Sequence, residues 1–222
     1  YRCRTIVLGA NTDPYQPIER EYQITRSLLQ VLSAYRHPVA ITTKSALVLR
    51  DIDILTPMAR RGLAAVNISV TTLDNSLARR MEPRAASPAK RLATIARLQA
   101  AGIPCTVLAA PMIPALNDAE LEAIAAAAAE AGARAAGYIL LRLPHELKDL
   151  FADWLQASVP LKARRVLGQI AACRDGKLND ADYGTRMRGK GPYADLLERR
   201  FVTACRRLGL QGTERFHLDH RQ

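Results

Sequence analysis

The chain has 222 residues, 49% of them apolar, which is enough to bury a core and too apolar for disorder to be the starting expectation. Its 32 Lys and Arg against 21 Asp and Glu leave a net charge of +11, suited to a phosphate-bearing or nucleic-acid partner and equally to an arginine-rich solvated surface. No run of about eighteen uncharged apolar residues exists to span a membrane. The start "YRCRTIV" has neither the apolar length nor the cleavage site of a secretory leader, and Cys3, Cys105, Cys173 and Cys205 are scattered without a metal clip. A cytoplasmic chain without a disulfide framework is expected.

Five β-rich apolar runs recur along the chain: "TIVLG" (5–9), "PVAITT" (38–43), "AAVNISVTT" (64–72), "IPCTVLAAPMI" (103–113) and "GYILLRL" (137–143). Helical stretches lie between them. "PIEREYQITRSLLQVLSAY" puts Ile18, Tyr22, Leu28, Leu29 and Leu32 along one stripe. "SPAKRLATIARLQAAG" opens on Ser87 as N-cap with Pro88 in the first turn and stops at Gly102. "NDAELEAIAAAAAEAG" has Asn117 or Asp118 as cap, acids in the first turn and Gly132 as stop. Strand and helix alternating every thirty residues or so predict βαβ units and a parallel sheet, which can close partly or fully into a barrel. One α/β domain is expected over residues 1–145. Residues 146–222 read as a helical, basic extension packed on it, with helices in "PHELKDLFADWLQASVP", "LKARRVLGQIAAC" and "ADLLERRFVTACRRLG".

Barrel enzymes place their chemistry at the carboxyl ends of the strands. Polar residues gather there: Thr12 and Asp13 after the first run, Lys44 after the second, Ser69 and Thr71 toward the end of the third, and 111–117 after the fourth. The density of polar groups in "GANTDPYQPIERE" suggests a ligand-facing loop. Lys44 either snorkels to solvent or neutralises an anion in the mouth. Ser69 is either a satisfied core hydroxyl or a ligand contact. Glu82 and Arg84, with Arg91 behind them, form either a loop clamp or part of a site. In "YGTRMRGKGPY", Arg186, Arg188 and Lys190 with Tyr183 and Tyr193 suit phosphate contact and base stacking, or a solvated lid. His37, His145, His217 and His220 make no metal set, and the pair near the terminus reads as a frayed tail.

The ordered set "TDPYQPIE", "TTKS", "NISVTTLD", "EPRAAS…R" and "AAPMIPALND" resembles the radical S-adenosylmethionine superfamily, in its spore-photoproduct-lyase-like branch, often labelled DNA repair photolyases. The resemblance covers nearly the whole chain and is weakest beyond about residue 150. It implies a partial parallel (β/α)6 TIM-like barrel that binds S-adenosylmethionine and a [4Fe–4S] cluster and generates a 5′-deoxyadenosyl radical, with a reductant such as flavodoxin or ferredoxin. It implies that Lys44 faces the methionyl carboxylate, that Thr12 and Ser69 contact the amino-acid or ribose part, and that backbone around Ala110 meets the adenine. Asp13, Glu82 and Arg84 then sit near the mouth as cofactor-positioning or substrate residues, and DNA or RNA becomes the expected partner.

Two departures qualify that expectation. The superfamily's Cys-x3-Cys-x2-Cys loop is not in this sequence, and "TIVLG" matches the family's second strand. The cluster ligands are therefore expected upstream of Tyr1 in a longer protein; the alternative is a basic nucleic-acid-binding α/β module that has lost the cluster and catalyses nothing. In addition, Ala10 stands where spore photoproduct lyase carries a hydrogen-donating cysteine, and alanine has no S–H to give. An ordinary barrel enzyme acting on a phosphorylated metabolite is disfavoured because "GYILLRLPHELKD" lacks a Gly-rich phosphate loop.

Overall fold

The computed structural model describes residues 2–182, 184–212 and 218. Strands β1 (Ile6–Leu8), β2 (Val39–Thr43), β3 (Ala64–Ser69), β4 (Cys105–Met112) and β5 (Ala135–Leu140) form one sheet in the order β1-β2-β3-β4-β5, each parallel to the next. Parallel neighbours need a crossover, and crossovers share one hand. In a sequentially ordered sheet that hand puts the connecting helices on one face and curls the strands toward a barrel. The predicted α/β partial barrel is the architecture seen.

The crossovers carry α1 (Glu19–Tyr22), α2 (Ile24–Ala34), α3 (Ile52–Arg60), α4 (Asn75–Met81), α5 (Pro88–Ala100) and α6 (Leu121–Glu130). After β5 come α7 (Leu147–Ser158), α8 (Pro160–Ala172) and α9 (Pro192–Leu208). Ser87 caps α5 as expected, accepting from the Lys90 amide. Asn117 does not cap a helix with its side chain; that side chain is used at the site described below. Helices α4, capped by Asp74, and α3 were not anticipated.

Register and the two-residue strand period sort the sheet into two faces. Val39, Ile41, Val66, Ile68, Cys105, Val107, Ala136 and Tyr138 face the helices and are buried in one core. On the opposite face Ala40, Thr42, Asn67, Leu108 and Ile139 are all partly exposed. This second face carries no helix from the crossovers and lines the inside of the curl. Helix α9 runs against α6 and β5, with Phe201 tilted on Tyr138 at 5.0 Å, and α7 and α8 build a smaller core around Leu143, Leu155 and Val166.

The first crossover differs from the expected single helix. Gln23 adopts a left-handed conformation (φ 49°) and splits it into α1 and α2. The five-residue stripe is broken accordingly. Leu29 is fully buried and Leu32 packs against the core, whereas Ile18, Tyr22 and Leu28 are exposed beside Ile24, Val31 and Tyr35. At the end of β1 the chain turns on Gly9, whose φ is 92°; a Cβ there would lie 2.0 Å from the Thr42 carbonyl oxygen. Only glycine permits both that torsion and that approach.

Candidate functional site

The carboxyl ends of β2, β3 and β4 are joined by a chain of charged and polar side chains. Lys44, just past β2, places Nζ 2.6 Å from Glu82 Oε1. Glu82, at the end of α4, gives its other oxygen to Arg91 of α5 at 2.6 Å. Thr71, beyond β3, donates to Glu82 Oε1 at 2.9 Å and also lies 3.0 Å from the Ala110 carbonyl oxygen of β4. Arg91 is 2% exposed and donates further to the carbonyls of Ala86 and Ser69. Burial works to raise the Glu82 pKa, but Lys44 and Arg91 outweigh it, and the carboxyl is held below the usual range.

Asn117 fastens the rim from behind. Fully buried, it donates to the Thr71 carbonyl at 2.7 Å and the Pro111 carbonyl at 3.0 Å, and its oxygen accepts from the Ile113 amide at 2.6 Å. The bend it secures contains the cis Ala110–Pro111 bond and a register shift against β5. Glu120 does the same for the next stretch, accepting from the Thr72 hydroxyl and the Leu73 amide. The backbone after β3 is thereby held rigidly.

Asp13 positions Lys44 from the other side. Its carboxylate accepts from the Lys44 amide at 2.8 Å, the Thr43 hydroxyl at 2.7 Å and the Tyr15 amide at 2.9 Å. Glu19 of the opening loop and Asp51 beyond β2 are also used internally. Glu19 accepts from Arg50 at 2.9 Å and from the Thr25 amide at 3.0 Å. Asp51, fully buried, accepts from Arg26, Arg50 and the Tyr15 hydroxyl. Burial pushes the Asp51 pKa upward, but the hydrogen bonds from Arg50, Arg26 and Tyr15 win and lower it. The polar density that suggests a ligand-facing loop largely serves to dock that loop on β2 and on the 3-10 turn Ala46–Asp51.

Lys44, Glu82, Ser69 and Ala110 are thus brought together, Ser69 and Ala110 through their carbonyls. The Ser69 hydroxyl, on the partly exposed face of the sheet, makes no hydrogen bond among the described residues. Thr12 and Arg84 are exposed and no contact ties them to the cluster. Thr71, Arg91 and Asn117 complete it. For Asn117 the sequence carried no signal beyond helix capping, because its three partners come from three different segments.

In the C-terminal loop, Arg188 pairs with Glu198 at 2.6 Å, and Lys190 lies 3.3 to 3.7 Å from Asp175, Asp180 and Asp182. The Arg186 carbonyl accepts from Arg174. Tyr193 bonds Asp118 at the foot of α9 and is not displayed for stacking; Tyr183 lies outside the described residues. So do His217 and His220. His37 sits against the Pro38 carbonyl and His145 is exposed. Cys105, Cys173 and Cys205 are buried in the core, Cys3 is partly exposed, and no three His, Cys, Asp or Glu side chains among the described residues group as metal ligands. No helix of the described chain is long and apolar enough to cross a membrane.

Comparison with known proteins adds the lineage. The Radical SAM superfamily profile matches residues 1–128. An uncharacterized protein of Mycobacterium tuberculosis is 33% identical over 162 residues, which is 72% of this chain and 48% of its own length. An uncharacterized protein of Methanocaldococcus jannaschii is 31% identical over 115 residues, 52% of this chain and 43% of its own. The chain therefore spans about half the length of the curated relatives it matches. Among solved structures, a spore photoproduct lyase mutant with bound AdoMet and dinucleoside spore photoproduct superposes with a TM-score of 0.60 at 15% identity, over 95% of this chain and 61% of that one. SuiB of Streptococcus suis bound to S-adenosylmethionine gives a TM-score of 0.52 at 14% identity, over 94% and 38%. At such identities these likenesses speak for the fold. With the superfamily profile covering more than half of its length, and with charged side chains converging on the strand ends of a sequentially ordered parallel sheet, this chain belongs to the radical S-adenosylmethionine superfamily.

Proposed function

We propose that the rim formed by Lys44, Glu82, Ser69 and Ala110 holds S-adenosylmethionine, and that the chain is the cofactor-binding part of a radical enzyme. The observation that carries this reading is the 2.6 Å pair between Lys44 Nζ and Glu82 Oε1 at the carboxyl ends of the strands. The free amino-acid end of the cofactor is a zwitterion. Entering here, its carboxylate takes Lys44 and its ammonium takes Glu82, so one internal ion pair becomes two with no change in net charge. Glu82 retains Arg91, which keeps the carboxylate ionised and oriented. The Ser69 hydroxyl adds a donor and an acceptor, and the Ala110 carbonyl has a lone pair left after Thr71 for an adenine amine.

The donor set therefore fits a small zwitterion bearing a hydrogen-bonding base. When bound, S-adenosylmethionine supplies the sulfonium on which the superfamily's radical chemistry draws. The chain's own residues bind and orient it, Asp13 fixing Lys44 through its amide and Asn117 fixing Thr71 and Pro111. A [4Fe–4S] cluster does not fit the described residues, whose cysteines are dispersed. The Ala10 substitution in the opening loop argues against thiol-mediated return of a hydrogen atom at that position. A net charge of +11 supports a nucleic acid as substrate.

Calorimetric titration of the chain with S-adenosylmethionine tests the assignment. Lys44→Ala should weaken binding at least about tenfold, the worth of one charge-assisted hydrogen bond. Decarboxylated S-adenosylmethionine, which has no carboxylate for Lys44, should lose no affinity in the variant. Equal affinity of both proteins for the intact cofactor refutes the role given to Lys44.

A further inference from the structure

We infer that Arg142 is a binding residue for an oxyanion, a phosphate or carboxylate carried by the substrate. Arg142 lies two residues past β5, at the same carboxyl rim as Lys44, Ser69 and Ala110. Its Nε is shut off from solvent and has no hydrogen-bond partner, and Arg142 forms no ion pair among the described residues. The side chain as a whole is only half-buried, so the far end of its guanidinium still reaches solvent. A desolvated N–H on a charged group is costly to leave without an acceptor, and native proteins seldom keep one without a reason.

The surroundings sharpen the case. The neighbouring guanidinium is that of Arg174, which is 2% exposed and donates to the carbonyls of Leu140, Leu141 and Arg186. Burial lowers the Arg174 pKa, Asp180 works against that, and the positive charge of Arg142 lowers it further. Two cations thus adjoin one strand end. Arg174 spends both terminal nitrogens on neutral carbonyls, and Asp180 is shared with Lys190 at 3.7 Å and bonded to Thr185. Neither arginine has an ion pair among the described residues, and of the two it is Arg142 whose side chain makes no hydrogen bond. A planar guanidinium with free N–H groups suits an oxyanion better than any other ligand class.

Position separates this anion from the cofactor's own. Lys44 follows β2 and Arg142 follows β5, three strand spacings away, or about 14 Å across the sheet at ~4.8 Å per strand. The single carboxylate of the cofactor's amino-acid end cannot serve both, so the second anion belongs to the other reactant. That last step rests on the cofactor assignment above; anion binding at Arg142 does not.

The test is nuclear magnetic resonance of the arginine Nε–Hε signals of the whole chain during titration with inorganic phosphate and, separately, acetate. The buried Arg142 signal, assigned by its loss in Arg142→Gln, should move with one or both anions. Binding of the effective anion should fall at least about tenfold in Arg142→Gln, and Arg142→Lys should recover part of it. Affinity for S-adenosylmethionine should be unchanged in Arg142→Gln and reduced in Lys44→Ala, so the two assignments fail separately. The response to phosphate against acetate identifies the kind of oxyanion. Asn179 Oδ1 is also buried without a partner. An Arg142 signal indifferent to both anions, as direct pairing with Asn179 would give, overturns the proposal, as does anion binding that survives Arg142→Gln.

Discussion

Replacing Glu82 with Gln removes the one negative charge that faces both Lys44 and Arg91 while keeping the side chain's shape. Arg91 is 2% exposed and Glu82 12%, so this half of the network is largely dry. Removing one partner of a buried pair typically costs 3–5 kcal/mol, because the other charge stays behind unpaired. Arg91 retains the carbonyls of Ala86 and Ser69, which moves the cost to the low end. Lys44 is 34% exposed and adds no more than about 1 kcal/mol. A loss of about 3 kcal/mol at pH 7 is expected, read by urea unfolding of parent and variant. The pH dependence has a definite sign. The Glu82 carboxyl titrates below its ordinary 4.5 in the folded chain, so between the folded and unfolded pKa values the unfolded state binds more protons. The stabilisation is therefore complete above about 4.5 and is lost as pH falls through the folded value. The gap between parent and variant should shrink below pH 4.5, other acid-sensitive groups being common to both. A gap below about 1 kcal/mol at neutral pH, or one that stays constant into acid, refutes the network as described.

Other perturbations probe separate parts of the structure. Asn117→Ala deletes three hydrogen bonds, two of them buried, and leaves backbone groups at the end of β4 and in the segment after β3 unmatched, so a loss of about 2–4 kcal/mol in denaturant unfolding is expected. Leu29→Ala should cost about 2–5 kcal/mol and Leu28→Ala less than about 1, since the first is fully buried and the second 47% exposed; similar losses in thermal unfolding would contradict the α2 orientation. Gly9→Ala puts a Cβ 2.0 Å from the Thr42 carbonyl oxygen at a φ of 92°, and should lower the melting temperature by more than Gly212→Ala, where the added atom meets nothing within 4 Å.

The sheet was legible because its signals are local. An apolar run bounded by turn residues, a serine before Pro88 and glycines at 102 and 132 declare strands and helix ends wherever the chain later packs. The alternation of those elements predicts parallel pairing, and Lys44 and Ser69 draw notice as polar groups at strand ends. The failures share a cause. Which residues of α2 face the core follows from one left-handed residue, Gln23, that no periodicity announces. Asp13 and Glu19 look like ligand groups until the fold supplies Lys44 and Arg50 as partners. Arg188 and Lys190 look like a phosphate site until Glu198 and three aspartates come beside them.

The sequence by itself determined the order of the strands, the parallel sheet, the end of it that carries the polar groups, and the superfamily. Tertiary structure alone decided that Lys44, Glu82, Arg91, Thr71 and Asn117 form one connected rim, and that Arg142 stands apart from it with a buried nitrogen unmatched. Helix and strand periods are written into neighbouring residues. The partner of a charge depends on which distant strand ends the closed sheet sets side by side, and that is settled only when the core has packed.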